Sequence, residues 1–271
     1  MFGMRRKLMH KFIVFLVFAG KGGTGKSTVA SNLACRLSRH LQAEGKGRRV
    51  GLLDADLETP SVAYLFGLQD LKHTRNPDTR RVITVHHKDY PNLDIFSMGS
   101  MPFVGEDSGT FWDKEMFRDH VLQSLIDVDW DIRYLIVDLP AGIDQSIAVF
   151  QEVLRKIHGV ILVTQPSGVS ANDVGKAITA CKDLKIPIMG VIENMSEFKC
   201  PECGRVSHPL GKDGGYRLAT KRGLPLLGNI PLLERASGAG DRKDPYFQDP
   251  RKTLDTTAEL IYDTRLGFWR R

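Results

Sequence analysis

Cysteine is scarce in this 271-residue chain: Cys35, Cys181, Cys200 and Cys203 are the only four, and they are too unevenly spaced for a disulfide framework. A reducing, cytoplasmic setting is therefore expected. Long hydrophobic runs are also missing. None reaches the roughly 18 residues that a membrane-spanning helix needs, which argues against a membrane protein. There is no internal repeat, low-complexity tract or long linker, so solenoid and disordered architectures are set aside. An excess of one charge is lacking as well. Thirty-eight Lys and Arg face 32 Asp and Glu, a net charge of +6, and Arg5, Arg6, Lys7 and Lys11 carry four of these, leaving the rest near +2. So even a balance gives no electrostatic case for nucleic acid as a partner.

What is present is an ordinary globular composition, 42% hydrophobic and 26% charged, in a chain long enough for a sizeable core. Short apolar runs recur between helix-length segments: Phe12 to Ala19, Val50 to Leu53, Leu93 to Met98, Tyr134 to Val137, Val160 to Val163 and Ile188 to Ile192. Continuous rather than alternating apolarity predicts strands covered on both faces. Val29, Leu33, Leu37 and Leu41 repeat every four residues, and Phe117, Val121, Leu125 and Ile126 share a face, which predicts amphipathic helices. A further helix is expected from Lys252 to Leu266, with Leu254, Ala258, Ile261 and Tyr262 turned inward. The alternation predicts an α/β fold, a doubly wound, mostly parallel sheet with helices on both faces, with ligands bound beyond the carboxyl ends of the strands. Lys72 to Asp89 reads as a polar surface excursion and Met101 to Gly109 as a loop.

Gly20, Lys21, Gly22, Gly23, Thr24, Gly25, Lys26 and Ser27, followed by Thr28, satisfy the G-x-x-x-x-G-K-[ST] pattern of a phosphate-binding loop. An apolar strand precedes the loop and an amphipathic helix follows, as the mechanism requires: glycines let backbone N–H groups converge on phosphate, and the helix adds its positive dipole end. Lys26 is expected to reach the β- and γ-phosphates, and Ser27 to ligate Mg²⁺. The basic start and the run Phe12 to Ala19 imitate a secretory signal, but cleavage there would sever the loop from its strand. The expected organisation is a basic extension over residues 1–11 and one P-loop ATPase domain over 12–271, with a cysteine-pair loop at 199–215. Asp138 ends an apolar strand and suits the Mg²⁺ shell; Asp54 and Asp56 end another, and one of them can orient the attacking water.

Lys21 is an extra cation that the generic pattern does not require. With it, GKGGTGKST resembles the deviant phosphate loop of the MinD/ParA/nitrogenase-iron-protein group. That resemblance implies that Lys21 acts across an ATP-sandwiched dimer, that Asp56 is the switch I residue activating water, that Asp138 to Gly142 is switch II, and that Asn194 reads adenine.

Cys200-Pro-Glu-Cys203-Gly204 is a C-x-x-C pair able to hold a soft metal centre, but such centres usually need four ligands. Three arrangements are open on spacing: a symmetric dimer contributing one pair per subunit, a local zinc site using His208, or a redox dithiol. Cys35 and Cys181 fall inside predicted helices and read as buried hydrophobes. Residues 174–196, the CPEC loop, DGGYRLA at 213–219 and GNIPLL at 228–233 resemble the Mrp-type iron–sulfur carrier ATPases over about residues 12–244. The resemblance implies an ATP-hydrolysing homodimer whose Cys200 and Cys203 pairs bridge a labile [4Fe-4S] cluster that is passed to apo iron–sulfur proteins. Switch I here reads DADLETPS rather than DADIYGPS, and switch II reads DLPAGID, closer to MinD. A MinD-like positioning switch is the second expectation, with the Arg265 to Arg271 tail as its membrane contact. A DNA-partitioning ATPase is disfavoured by the near-neutral body.

Overall fold

The computed structural model describes residues 12–264, apart from 46, 48, 58, 71–72, 98–113, 143, 155 and 235–241. The basic extension, the loop at 101–109 and the arginine-rich tail thus lie outside the described residues.

Six strands form where the continuous apolar runs predict them: β1 (Ile13–Ala19), β2 (Val50–Asp54), β4 (Tyr90–Ser97), β5 (Tyr134–Asp138), β6 (Gly159–Thr164) and β7 (Ile188–Asn194). With β3 (Val85–His87) and β10 (Leu226–Ile230) they build one eight-stranded sheet in the order β10-β7-β6-β1-β5-β2-β4-β3. Every pairing is parallel except β3 with β4. The helices are α1 (Lys26–Ala43), α2 (Val62–Leu65), α3 (Lys114–Ile126), α4 (Asp144–Val153), α5 (Gly168–Asp183), α6 (Gly214–Arg222) and α7 (Thr253–Asp263).

The two faces of β1 explain why its sequence is apolar throughout. Val14, Leu16 and Phe18 join one core with Val121 and Leu125 of α3, Phe150 of α4 and Ile178 of α5. Ile13, Phe15 and Val17 join the other with Val29, Leu33 and Leu37 of α1 and with Leu254 and Ile261 of α7. The helical periodicities are therefore core stripes, and truncating a fully buried member such as Leu33 costs about 2–5 kcal/mol. Cys35 and Cys181 are free thiols in these cores, and burial pushes the Cys181 thiol up to about 12. Thiols held protonated by burial in this way are poor nucleophiles and poor metal ligands.

One expectation needs correcting. The stretch 72–89 is not wholly a surface excursion: Arg75 and Val82 form an antiparallel bridge, Val82 also bridges Val128, and β3 extends the sheet. Val82 and His87 are buried there, so the polar segment is anchored by a few inward side chains. Among the described residues, no helix is long and apolar enough to cross a membrane.

Candidate functional site

The parallel register sets the site. Asp54 at the end of β2 stands opposite Asp138 at the end of β5, which runs beside β1 and its phosphate loop. Gly25 caps α1 with φ of 82°, a conformation that glycine adopts without penalty. A Cβ there would also lie 2.2 Å from Asn194 Nδ2. Switch II is tied to the same loop by the Gly142 N–H, which donates to the Ala19 carbonyl at 2.9 Å.

Lys26 is the hub. Its ammonium lies 2.7 Å from Asp138 Oδ1, 3.8 Å from Asp56 Oδ2 and 3.4 Å from Ser27 Oγ. All three charged groups are buried. Asp56 is oriented by the Thr59 N–H, which donates to Oδ1 at 3.1 Å and leaves Oδ2 turned towards Lys26. Asp54 accepts from the N–H groups of Asp56 and Val62 and from the Ser97 hydroxyl, each at 3.1 Å. It is a brace for the switch I backbone rather than a group aimed at the phosphate loop. Burial, reinforced by the charge on Asp138, raises the Asp54 carboxyl to about 7. Burial also raises Asp138, against the pull of Lys26.

A cation fits this arrangement. Two buried carboxylates, Asp56 and Asp138, face one buried ammonium, and Asp138 Oδ2 is buried with no hydrogen-bond partner. With the Ser27 hydroxyl alongside, that orphaned oxygen is the hard-oxygen donor set that Mg²⁺ takes. Beside it, Lys21 to Thr28, Asp56, Thr59, Ser61, Tyr64, Leu65 and Ala141 enclose a cavity of about 300 Å³. Every predicted loop residue from Lys21 onward lines it, as does Asp56; Gly20 abuts switch II and Asp138 lies just beneath.

Asn194 sits at the end of β7 beside the phosphate loop. Its amide Nδ2 donates to the Thr24 carbonyl at 2.8 Å, so here it holds the phosphate loop. Gln165, which sequence reasoning missed, does the same from the end of β6: Nε2 donates to the Gly23 carbonyl at 3.0 Å and lies 3.3 Å from Met195 Sδ. A glutamine directly after an apolar strand carries no local signal that could have revealed this.

The same strand end leads to the cysteines. Past Asn194, the Ser196 and Glu197 backbone is stitched to the end of β10 and beyond it through Ser196 N–H to Ile230 O at 3.0 Å and Leu232 N–H to Glu197 O at 2.7 Å. An ion pair of 2.6 Å joins Arg251 to Glu197. There follows a small antiparallel hairpin, β8 (Phe198–Lys199) and β9 (Val206–Ser207), with Cys200 to Gly204 as its turn. The Cys200 N–H donates to Arg205 O and the Gly204 N–H to Cys200 O, closing the turn. The backbone N–H groups of Cys203 and Glu202 are aimed at the Cys200 thiol and lower its pKa, which favours the thiolate a metal needs. Cys203 is exposed.

His208 does not join them. Its Nδ1 donates to the Ser196 carbonyl at 3.1 Å, and among the described residues no group of three His, Cys, Asp or Glu side chains is placed to hold a metal. The local zinc arrangement thus lacks a third ligand among the described residues.

A family model of the ParA group, described as NUBPL iron-transfer P-loop NTPase, matches residues 11–264. A cytosolic Fe-S cluster assembly factor, the NUBP2 homolog of Dictyostelium discoideum, is 36% identical over 90% of this chain and 88% of its own length. The iron-sulfur cluster carrier protein of Methanocaldococcus jannaschii is 35% identical over 88% of this chain and 78% of its own. Among solved structures, a nucleotide-binding protein from Archaeoglobus fulgidus in complex with ADP superposes with a TM-score of 0.74 at 28% identity, over 90% of this chain and 93% of that one. MinD from Pyrococcus horikoshii shares the fold, with a TM-score of 0.63 at 19% identity over 93% of this chain and 96% of that one. Its phosphate loop, its switch carboxylates and this breadth of similarity together make the chain a member of the ParA-type, NUBPL-like iron-transfer P-loop NTPases.

Proposed function

We propose that this protein is an ATP-hydrolysing iron–sulfur cluster carrier of the cytoplasm. Two copies face each other across bound ATP, and Cys200 and Cys203 of each hold a bridging [4Fe-4S] cluster destined for apo-proteins. The observation that carries the reading is the exposed two-cysteine turn mounted on the strand end that also holds the phosphate loop. Two thiolates per chain, with no third ligand beside them among the described residues, leave an iron–sulfur cluster half-ligated, and a symmetric second copy completes four.

Each site residue has a task in that scheme. The backbone N–H groups of residues 22–28 and the α1 N-terminus cradle the phosphates, while Lys26 transfers its ammonium from Asp138 to the β- and γ-phosphate oxygens. Ser27 and Asp138 would hold Mg²⁺, which when bound neutralises phosphate charge. Asp56, pinned by Thr59, orients the water that adds to the γ-phosphorus as the bond to ADP breaks. Lys21, at the cavity rim with no ion pair among the described residues, supplies positive charge towards the second copy's nucleotide. Asn194 reads adenine as well as anchoring Thr24.

The deciding experiment measures iron and acid-labile sulfide in protein purified or reconstituted without oxygen, beside a Cys200→Ala/Cys203→Ala variant. About four of each per dimer, lost in the variant, is expected. Zinc in their place, or no metal with ATP binding intact, would overturn the carrier reading and leave a MinD-like switch.

A further inference from the structure

Glu193 is a buried charged residue that the nucleotide chemistry leaves unused. It is the penultimate residue of β7, and the register places it between Thr164 of β6 and Asn229 of β10. A carboxylate in such a place is costly unless it is hydrogen-bonded. Its partners are in the first turn of α6: the Gly215 N–H donates to Oε2 at 2.5 Å, and the Tyr216 N–H is a second donor. Burial raises the Glu193 carboxyl, and these N–H groups pull it back. Asp213, the local N-cap residue, has φ of 58° and makes no side-chain capping bond. The helix takes its cap instead from a strand residue 22 positions back in the chain.

Two strand ends repeat one arrangement. On β7, Asn194 bonds the Thr24 carbonyl of the phosphate loop, and its neighbour Glu193, turned to the opposite face, bonds the start of α6. Just past β6, Gln165 bonds the Gly23 carbonyl, while Pro166 beside it lies against the segment entering α6. A Cβ on Gly214 would stand 2.1 Å from the Pro166 carbonyl oxygen, and one on Gly215 would stand 2.8 Å from Glu193 Cβ. Only glycine lets the backbone lie this close on the strand ends. That segment is the outgoing leg of the cysteine hairpin, and His208 ties it again to the Ser196 carbonyl on the incoming leg. Both legs thus stand on β7, the incoming one by chain continuity from Asn194 and the outgoing one through Glu193.

From this placement we infer that Glu193 is a positioning residue for the cysteine turn: by holding the first turn of α6 it fixes the outgoing leg, so that Cys200 and Cys203 meet a metal as a prearranged pair. A leg released from β7 lets the turn sample other shapes, and the cost of ordering it then falls on metal binding. The inference deepens the carrier reading and rests on it for the identity of the cargo, whereas prearranged thiolates favour any soft ion.

The test uses the metal-free full chain and Cd²⁺ alone, whose charge-transfer absorption with thiolate reports binding at the pair, with a Cys200→Ala/Cys203→Ala chain as background. Glu193→Ala is expected to weaken Cd²⁺ binding about tenfold, the lower end of what losing a support behind a metal ligand costs, with ATP affinity held within about twofold. Glu193→Gln, whose amide oxygen still accepts the Gly215 N–H, is expected to stay within about threefold of wild type. Gly215→Ala disturbs the same contact from the helix side and is expected to weaken Cd²⁺ binding as well. Unchanged Cd²⁺ affinity in Glu193→Ala would overturn the proposal. So would equal losses of Cd²⁺ and ATP affinity, the mark of a general loosening of the strand ends, or a glutamine variant no better than alanine, since glutamine keeps the hydrogen bond that alanine removes. Failure of the carrier reading would register separately, as absent iron and sulfide in the reconstituted wild type, with the dependence of Cd²⁺ binding on Glu193 unaffected.

Discussion

The ammonium of Lys26 lies 2.7 Å from one oxygen of Asp138, while the other oxygen of that carboxylate is buried without a hydrogen-bond partner. One residue thus presents a satisfied face to the phosphate lysine and an unsatisfied one to the place where a divalent cation fits. Phosphate and cation would arrive together, because each relieves a charge that the other leaves exposed.

Lys26→Ala is expected to lower ATP affinity by at least about 100-fold, since charge-assisted contacts to phosphate contribute roughly 1.5–3 kcal/mol each. Titration calorimetry measures it, with circular dichroism to verify folding. Unchanged affinity would refute the site as drawn.

Asp56→Ala is expected to keep ATP affinity within a few-fold and to lower turnover by about 10²–10⁴, the usual range for losing a group that acts on the attacking water. Single-turnover hydrolysis decides. Normal hydrolysis would transfer the role to another switch residue.

Gly25→Ala tests the loop without touching a charge. The added methyl demands a strained backbone at φ of 82° and collides with the Asn194 amide. Loss of ATP binding with little change in the secondary-structure spectrum is expected; wild-type affinity would mean that the loop binds in another shape.

His158 provides a pH signature far from the site. Its Nδ1 accepts the Val14 N–H at 3.0 Å, which requires the neutral ring, and burial with help from Lys156 and Arg133 lowers its pKa to about 4. An unfolded chain protonates this imidazole near 6.5 whereas the folded one resists until about 4, so the contribution is full above 6.5 and is lost as pH falls towards 4. After discounting for solvent screening it amounts to about 1 kcal/mol. Melting temperatures from pH 7 to 4 are expected to fall less steeply in His158→Gln, and parallel curves would contradict the assignment.

Much of this was legible in the sequence because it is written locally. Buried parallel strands such as Tyr134–Asp138 need apolar side chains on both faces, and α1 shows its core stripe every four residues. β10 escaped notice because Gly228 and Asn229 interrupt a half-buried edge strand. β8 and β9, two residues each, are too short for any periodicity. Gln165, Asn194 and His208 form contacts with backbone carbonyls that only the fold brings near, so their residue types gave a possible chemistry but no direction.

Only five residues separate Asn194, bonded to the phosphate loop, from Cys200, and Ser196 on the way accepts from His208 on the far side of the hairpin. Free-energy coupling between two sites has the same size read from either end. If ATP stiffens this short span and so alters how firmly the turn grips its cargo, loading the turn must alter ATP affinity by an equal factor, and the nucleotide dissociation constant becomes a gauge of whether the carrier is full. Measuring that constant with and without cluster would read the factor directly, and identical values would show that the span transmits nothing.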